Sequence, residues 1–299
     1  MVQYKKTWSE WIFDIIVYLC IAFIIVVTLY PLIYIFSMSI SDPLAAARGE
    51  VWLLPKGFDL TALKRVLNDD DLFMYYYNTL WYTVVGTSCG IITTGLAAYP
   101  LSRPEFRARG KILKFFMFTM FFSGGLIPSY IVIAKYLGLY NSRLAIILPS
   151  LTGAWYITVT RNFFASLPGE IIESARIDGA SEYRIFGQLV LPLSKPIIAV
   201  LALYKSVGFW NAYFGAMLYL GKKELQPLAL YVRSVVIQNN VNALLGEGGE
   251  AVELTAAQIL SSLQIEYAVV LVAVVPMLCF YPFLSKNLEK GLMVGAVKS

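Results

Sequence analysis

The chain has 299 residues, 58% of them hydrophobic and only 14% charged, with a formal net charge of +5. A soluble domain carries about 25% charged residues. The apolar residues here come in runs of the length that crosses a bilayer, about 20 residues each. These numbers exclude a large soluble domain and point to a polytopic membrane protein. Histidine is absent, which removes the commonest metal ligand and the commonest general base; no metal site is expected. Lys and Arg gather at the ends of the apolar runs, so the basic stripe with interleaved aromatics that nucleic acid requires is not expected.

Six apolar spans are predicted in chain order, at 12–40, 78–101, 112–137, 143–165, 195–220 and 264–284. Each must satisfy its own backbone in lipid, so each is predicted helical; no alternation of the kind a membrane barrel needs is present. Lys5 and Lys6 precede the first run. That run is too long for a signal core and lacks an A-x-A-like site, so it reads as a retained span. An outer loop over 41–77 follows and contains Asp69, Asp70 and Asp71.

The connection 102–114 holds Arg103, Arg107, Arg109, Lys111 and Lys114 against the single acid Glu105. By the positive-inside rule it faces the cytoplasm, which places both termini inside. Pro31, Pro128, Pro149 and Pro276 fall within spans, and Gly124-Gly125 precedes Pro128. Proline removes an intrahelical bond and kinks the helix. Such breaks are either structural kinks or pointers to a transport path.

Cys20, Cys89 and Cys279 lie inside apolar runs, where cysteine behaves as a small hydrophobe. Lys205 sits about ten residues into the fifth span. Such a residue is costly in lipid unless it snorkels or lines a polar pathway. A second long outer loop, 221–263, carries the acidic Gly246, Glu247, Gly248, Gly249 and Glu250.

Catalytic motifs are missing. No G-x-x-x-x-G-K-[ST] occurs, so the chain has no phosphate-binding loop of its own. Neither H-E-x-x-H nor G-x-S-x-G is present. Three adjacent aspartates beside Asn68 suit a solvated loop better than a metal-dependent glycosyltransferase. An enzyme acting on membrane glycan or lipid remains the reading from another class.

The polar stretch from Glu173 to Pro192 stands out amid this apolar sequence. Leu167-Pro168-Gly169-Glu170 is predicted to start a helix, since Pro fits the first turn and acids suit an N-terminus. Asp178-Gly179 breaks it, because Gly permits a left-handed turn. A second helix follows over ASEYRIFGQLV and is expected to stop at Leu191-Pro192. Two short charged helices joined by a glycine turn form a hairpin shaped to dock onto something.

These residues resemble the EAA loop of ABC importer permeases, which reads E-A-A, three residues, G, nine residues, I-x-L-P. Here the pattern is Glu173-Ser174-Ala175, Gly179, then Leu189-Val190-Leu191-Pro192, with Ser174 in place of Ala and Leu189 in place of Ile. The flanking LPGEIIESARIDGASEYRIFGQLVLPLSKP, the Trp210-Asn211 pair and the tail GLMVGAVKS resemble the carbohydrate-uptake branch, in particular the maltose-type second permease. FFSGGLIPSYIVIAKYLGLYNS is most similar to permeases for complex oligosaccharides.

The resemblance implies an all-α membrane protein of six transmembrane helices with the type I ABC importer fold, in a bacterial cytoplasmic membrane. Residues 1–77 would form the tail, first span and outer loop. Residues 78–299 would form the core permease domain, with the coupling loop at 166–196. It also implies the partners: a second permease subunit, as a heterodimer, two cytoplasmic ATP-binding subunits that bind ATP and Mg, an extracytoplasmic solute-binding protein, and an oligosaccharide.

Within that picture Glu173 is the charged contact with the ATPase, Gly179 permits the turn, and Ala175 and Phe186 pack. Ser174, Asp178, Arg184, Leu191 and Pro192 complete the coupling set. Gly246 to Glu250 would reach the binding protein as a scoop. Sugars stack on aromatics and bond to amides, so Tyr130, Tyr156, Tyr204, Lys205, Trp210, Asn211 and Tyr213 are the candidate pathway residues. Amino acid, peptide or osmolyte is the alternative cargo.

Overall fold

The computed structural model describes residues 7–245 and 263–280. It is helical almost throughout, with one isolated backbone bridge between Ser41 and Phe58 and no strand among the described residues. The major helices are α1 (Trp8–Ser39), α2 (Leu72–Ser102), α3 (Arg109–Phe121), α4 (Ala154–Ala165), α5 (Gly169–Ile177), α6 (Glu182–Ile185), α7 (Lys195–Trp210), α8 (Leu228–Leu245) and α9 (Leu263–Phe280). Contacts divide the chain into two units, Met1–Asp69 with Ser234–Val274 and Asp70–Arg233 with Val275–Ser299.

Among the described residues α1, α2 and α9 are unbroken and apolar enough to cross a membrane. Two bent helix pairs pass the same length-and-composition test only when taken together, α3 with Leu126–Tyr136 at 115°, and Glu182–Leu193 with α7 at 79°; in the second pair α7 is the membrane part. Three of the six predicted spans are interrupted. The third span breaks at Gly124-Gly125, where Gly125 has φ +86°. The predicted 143–165 span is a short helix Leu144–Ile147, a 3₁₀ turn Leu148–Ser150 around Pro149, and then α4. The fifth span stops at Trp210 and resumes as Phe214–Tyr219. Pro31 and Pro276, by contrast, lie inside continuous helices.

In the first unit, Thr7 and Glu10 form a capping box that starts α1, with the Thr7 N–H donating to Glu10 Oε2 at 2.7 Å. Asp42 caps the helix Pro43–Ala47 by accepting from the Leu44 and Ala45 N–H groups. Met38, Ala46 and Val51 form a small core with Tyr34 and Tyr267. Gln264 Nε2 donates to the Ser41 carbonyl at 2.6 Å, tying α9 to this loop.

The second unit is organised around α2. Its buried positions Tyr75, Asn78, Tyr82, Gly86, Gly90, Thr94 and Ala98 recur every three to four residues, the spacing of one helical face. Helices α4 and α7 pack on this helix. Gly86 and Gly90 form a notch in it. A Cβ on Gly86 would stand 2.4 Å from the Phe209 ring, and one on Gly90 would stand 2.9 Å from Lys205 Nζ. Small residues four apart let helices approach this closely in membranes.

The Asp71 end of this unit is clasped by polar groups. Asn78 Nδ2 donates to the Glu224 carbonyl at 2.8 Å, and Arg143 Nη2 donates to Asn78 Oδ1 at 2.9 Å. The Tyr82 hydroxyl donates to the Leu225 carbonyl at 2.8 Å.

Candidate functional site

The hairpin of α5 and α6 lies against the Ser102 end of α2. Helix α5 begins at Gly169 after Pro168, carries Glu170 in its first turn and Arg176 in its last, each sign matched to the helix dipole. Gly179 turns the chain at φ +78°, in open space. Ser181 then caps α6 by accepting from the Arg184 N–H. Contrary to the expected stop, the helical path runs through Pro192: a π turn over Phe186–Val190 leads into Leu191–Leu193. Local π adjustments are one way helices tolerate proline. The bend falls at Ser194 instead.

The hairpin sorts the predicted coupling residues into two faces. Ile172, Ile185 and Val190 are buried with Ala98, Leu101, Ile157 and Phe164. Ala175 and Phe186 pack against this cluster, with the Phe186 ring 5.1 Å from that of Tyr99. Glu173, Ser174, Asp178, Gly179 and Arg184 are exposed. Leu191 is half-buried and Pro192 exposed. Ile177 and Tyr183 are 83% and 85% exposed, so the charged face also presents two large apolar side chains.

Sequence reasoning missed the polar network behind that face. Arg176 forks between two carboxylates, Nη1 donating to Glu105 Oε1 at 2.7 Å and Nε to Glu182 Oε1 at 2.9 Å. The Tyr99 hydroxyl donates to the other oxygen of Glu182 at 2.6 Å. Arg103 lies over the Tyr99 ring at 5.0 Å and donates to the Phe164 carbonyl at 3.3 Å. The Arg176 guanidinium holds the Glu105 carboxyl below its usual value. The Tyr99 hydroxyl and then Arg176 do the same for Glu182. In return Glu105 and Glu182 raise Arg176. These groups line a cleft of about 510 Å³ between the hairpin and α2. Glu105 lies 71 positions from Arg176, so no local spacing signals their meeting.

The candidate pathway residues do not converge on one surface. Tyr156, Tyr204 and Lys205 meet at the break before α4, joined there by Trp155. Lys205 is 3% exposed. Its ammonium donates to the Ser150 and Leu151 carbonyls at 3.2 and 3.0 Å and lies 4.4 Å over the Tyr156 ring. Thr93 Oγ1 donates to the same Leu151 carbonyl at 3.1 Å. The lysine neither snorkels nor reaches open space; it caps the carbonyls that the broken helix leaves free, where a cation suits the dipole.

Tyr204 is exposed and packs edge-on against Trp155 at 5.5 Å. The other four are elsewhere. Tyr130 stacks on Tyr219 at 5.8 Å. Trp210 meets Tyr76 and borders a cleft of about 270 Å³ with Thr83, Thr87 and Ser206. Asn211 bonds back to the Val207 carbonyl, and Tyr213 lies under Arg233. Gly246 to Glu250 and the GLMVGAVKS tail lie outside the described residues.

Comparison with known proteins places the chain among transport components. The family model for "Binding-protein-dependent transport system inner membrane component" matches residues 1–293. The chain is similar to Protein LplC of Bacillus subtilis, 36% identical over 96% of this chain and 95% of the relative. It is also similar to the polygalacturonan/rhamnogalacturonan transport system permease protein YtcP of the same organism, 33% identical over 96% and 98%. A chain of a bacterial ABC transporter involved in the import of the acidic polysaccharide alginate superposes with TM-score 0.83. It is 32% identical, covering 95% of this chain and 99% of that one.

Proposed function

The chain belongs to the inner membrane components of binding-protein-dependent transport systems, and on that premise we propose that it takes up an oligosaccharide, driven by ATP bound on partner chains. As a member of that family it is a multi-pass membrane transport subunit of the type I ABC importer fold, and not an enzyme. The observation that carries the coupling role is the exposed face of the hairpin. It presents Glu173, Ile177 and Tyr183 outward while Ile172 and Ile185 anchor it to the bundle.

With the basic connection 102–114 inside, both termini and this face are cytoplasmic. Two ATPase subunits with ATP and Mg would close beneath a heterodimer of this chain and a second permease. A solute-binding protein would deliver cargo from outside. Because two of the similar proteins are named for polygalacturonan and for alginate, oligogalacturonides are the first cargo to try.

The test is uptake by the reconstituted transporter. Glu173→Ala and Gly179→Pro are expected to abolish ATP-coupled uptake while the chain still inserts. Normal uptake by both variants would refute the coupling role. Uptake of an amino acid, peptide or osmolyte in place of any oligosaccharide would refute the cargo class.

A further inference from the structure

We propose that Arg176 is a positioning residue: through Glu105, Glu182 and Tyr99 it passes the movement of the Glu173-bearing helix to the second membrane helix. This deepens the proposed function and rests on the hairpin being the ATPase dock.

Helix α5 is weakly held for a part that must transmit force. Within its nine residues only Ile172 is buried. Arg176 stands four positions later, on the same face of the helix. Ala175 packs beside the same buried cluster, and the Arg176 guanidinium is the polar attachment of the helix, gripping two places at once. Glu105 belongs to the connection that follows α2, and Glu182 opens the other helix of the hairpin. The Tyr99 hydroxyl completes the path, since Tyr99 lies in the last turn of α2 and holds the free oxygen of Glu182. A fork with two nitrogen donors on two carboxylates resists rotation as well as separation.

The pairs are partly exposed, with side chains 33%, 58% and 53% accessible for Arg176, Glu105 and Glu182. Such pairs add little to global stability, so breaking them leaves the buried cluster and the fold in place. What they fix is the angle of α5 against α2. Helix α2 packs on both α4 and α7, so a displacement delivered at Tyr99 reaches the helices around the Lys205 site.

Cys89 on α2 is half-buried and can report this movement. The probe is the thiol-labelling rate of Cys89 in the assembled transporter, with Cys20→Ser and Cys279→Ser, measured without nucleotide and after trapping with ATP and vanadate. Trapping is expected to change the rate. In Arg176→Met, which removes both arms of the fork, that change should shrink about fivefold, the factor that partly exposed ion pairs supply, with the ATPase still bound.

Glu105→Gln leaves the Glu182 arm intact and should reduce the change by less. Adding it to Arg176→Met should reduce the change no further. An undiminished response in either variant, additive effects, or a wild-type rate that trapping leaves unchanged would overturn the proposal. A transporter from which the wild-type ATPase is missing would overturn the functional reading as well, and is distinguished by its subunit content.

Discussion

Lys205 crosses the second membrane helix at Gly90, where any Cβ would stand 2.9 Å from its ammonium nitrogen. The missing side chain at position 90 and the long one at position 205 are therefore one feature. Together they bring a cation to the carbonyls of Ser150 and Leu151, at a point where the chain breaks its helix inside the bundle.

Substitutions in the notch should rank by what the new methyl meets. At Gly86 it meets the ring of Phe209 at 2.4–2.7 Å, whereas at Gly90 it meets the flexible end of a lysine. Gly86→Ala is expected to destabilise by about 3 kcal/mol and Gly90→Ala by about 1 kcal/mol, the two ends of the overpacking range. Thermal unfolding in detergent checks the order. A Gly90 variant less stable than the Gly86 variant would contradict this packing.

Removing the cation should expose the break. Lys205→Met fills similar volume but leaves the Ser150 carbonyl without its donor, at a cost of about 1–3 kcal/mol. Thr93 still serves Leu151, so the lower end is expected. The lowered transition should appear together with unchanged binding of the ATPase, since the hairpin is untouched. Stability equal to wild type would show that water or other groups already serve these carbonyls.

The hairpin turn should respond to backbone preference alone. Gly179 has φ +78°, and a side chain there would meet nothing within 4 Å of its Cβ. Gly179→Ala therefore carries only the left-handed penalty of about 1–2 kcal/mol. Asn, which visits that region more readily, should cost less. Affinity of the permease pair for the ATPase, compared across Gly, Asn and Ala, should fall in that order. A tighter Ala variant would rule out the observed turn as the docked one.

Acid should loosen the hairpin only well below neutrality. Glu105 and Glu182 are both held below the ordinary 4.5, so the folded hairpin binds fewer protons than the unfolded one. Its extra stability is complete above the ordinary carboxylate value and is lost as pH falls through the depressed values. Hydrogen exchange of the α5 amides should be pH-independent in its opening equilibrium around neutrality. Opening should rise once the pH drops below the ordinary carboxylate value, and should not rise there in Glu105→Gln with Glu182→Gln.

Much of this was legible in the sequence for physical reasons. The apolar runs locate the membrane segments, and Asp178-Gly179 marks the turn because only glycine adopts that φ without cost. The spacing from Glu173 to Pro192 carries the family resemblance. What was not legible is long-range. Glu105, one of the two partners of Arg176, lies in a different connection, and the partners of Lys205 lie in a different span. Apolar content also does not reveal where a span breaks: Pro31 and Pro149 look alike in sequence, yet only the segment near Pro149, which has Lys205 and Thr93 to serve its carbonyls, comes apart. Sequence position also does not show which aromatics share a surface, because aromatics in spans often pack on one another, as Tyr130 does on Tyr219.

The central claim is that the exposed face of the hairpin is where an ATPase subunit docks. A photoactivatable cross-linking residue in place of Glu173, irradiated in native membranes, tests it most directly. The account predicts a single major adduct with the ATP-binding subunit, lost when Ile177 and Tyr183 are both changed to Asp. Adducts with lipid alone, or with the companion permease and not the ATPase, would contradict it.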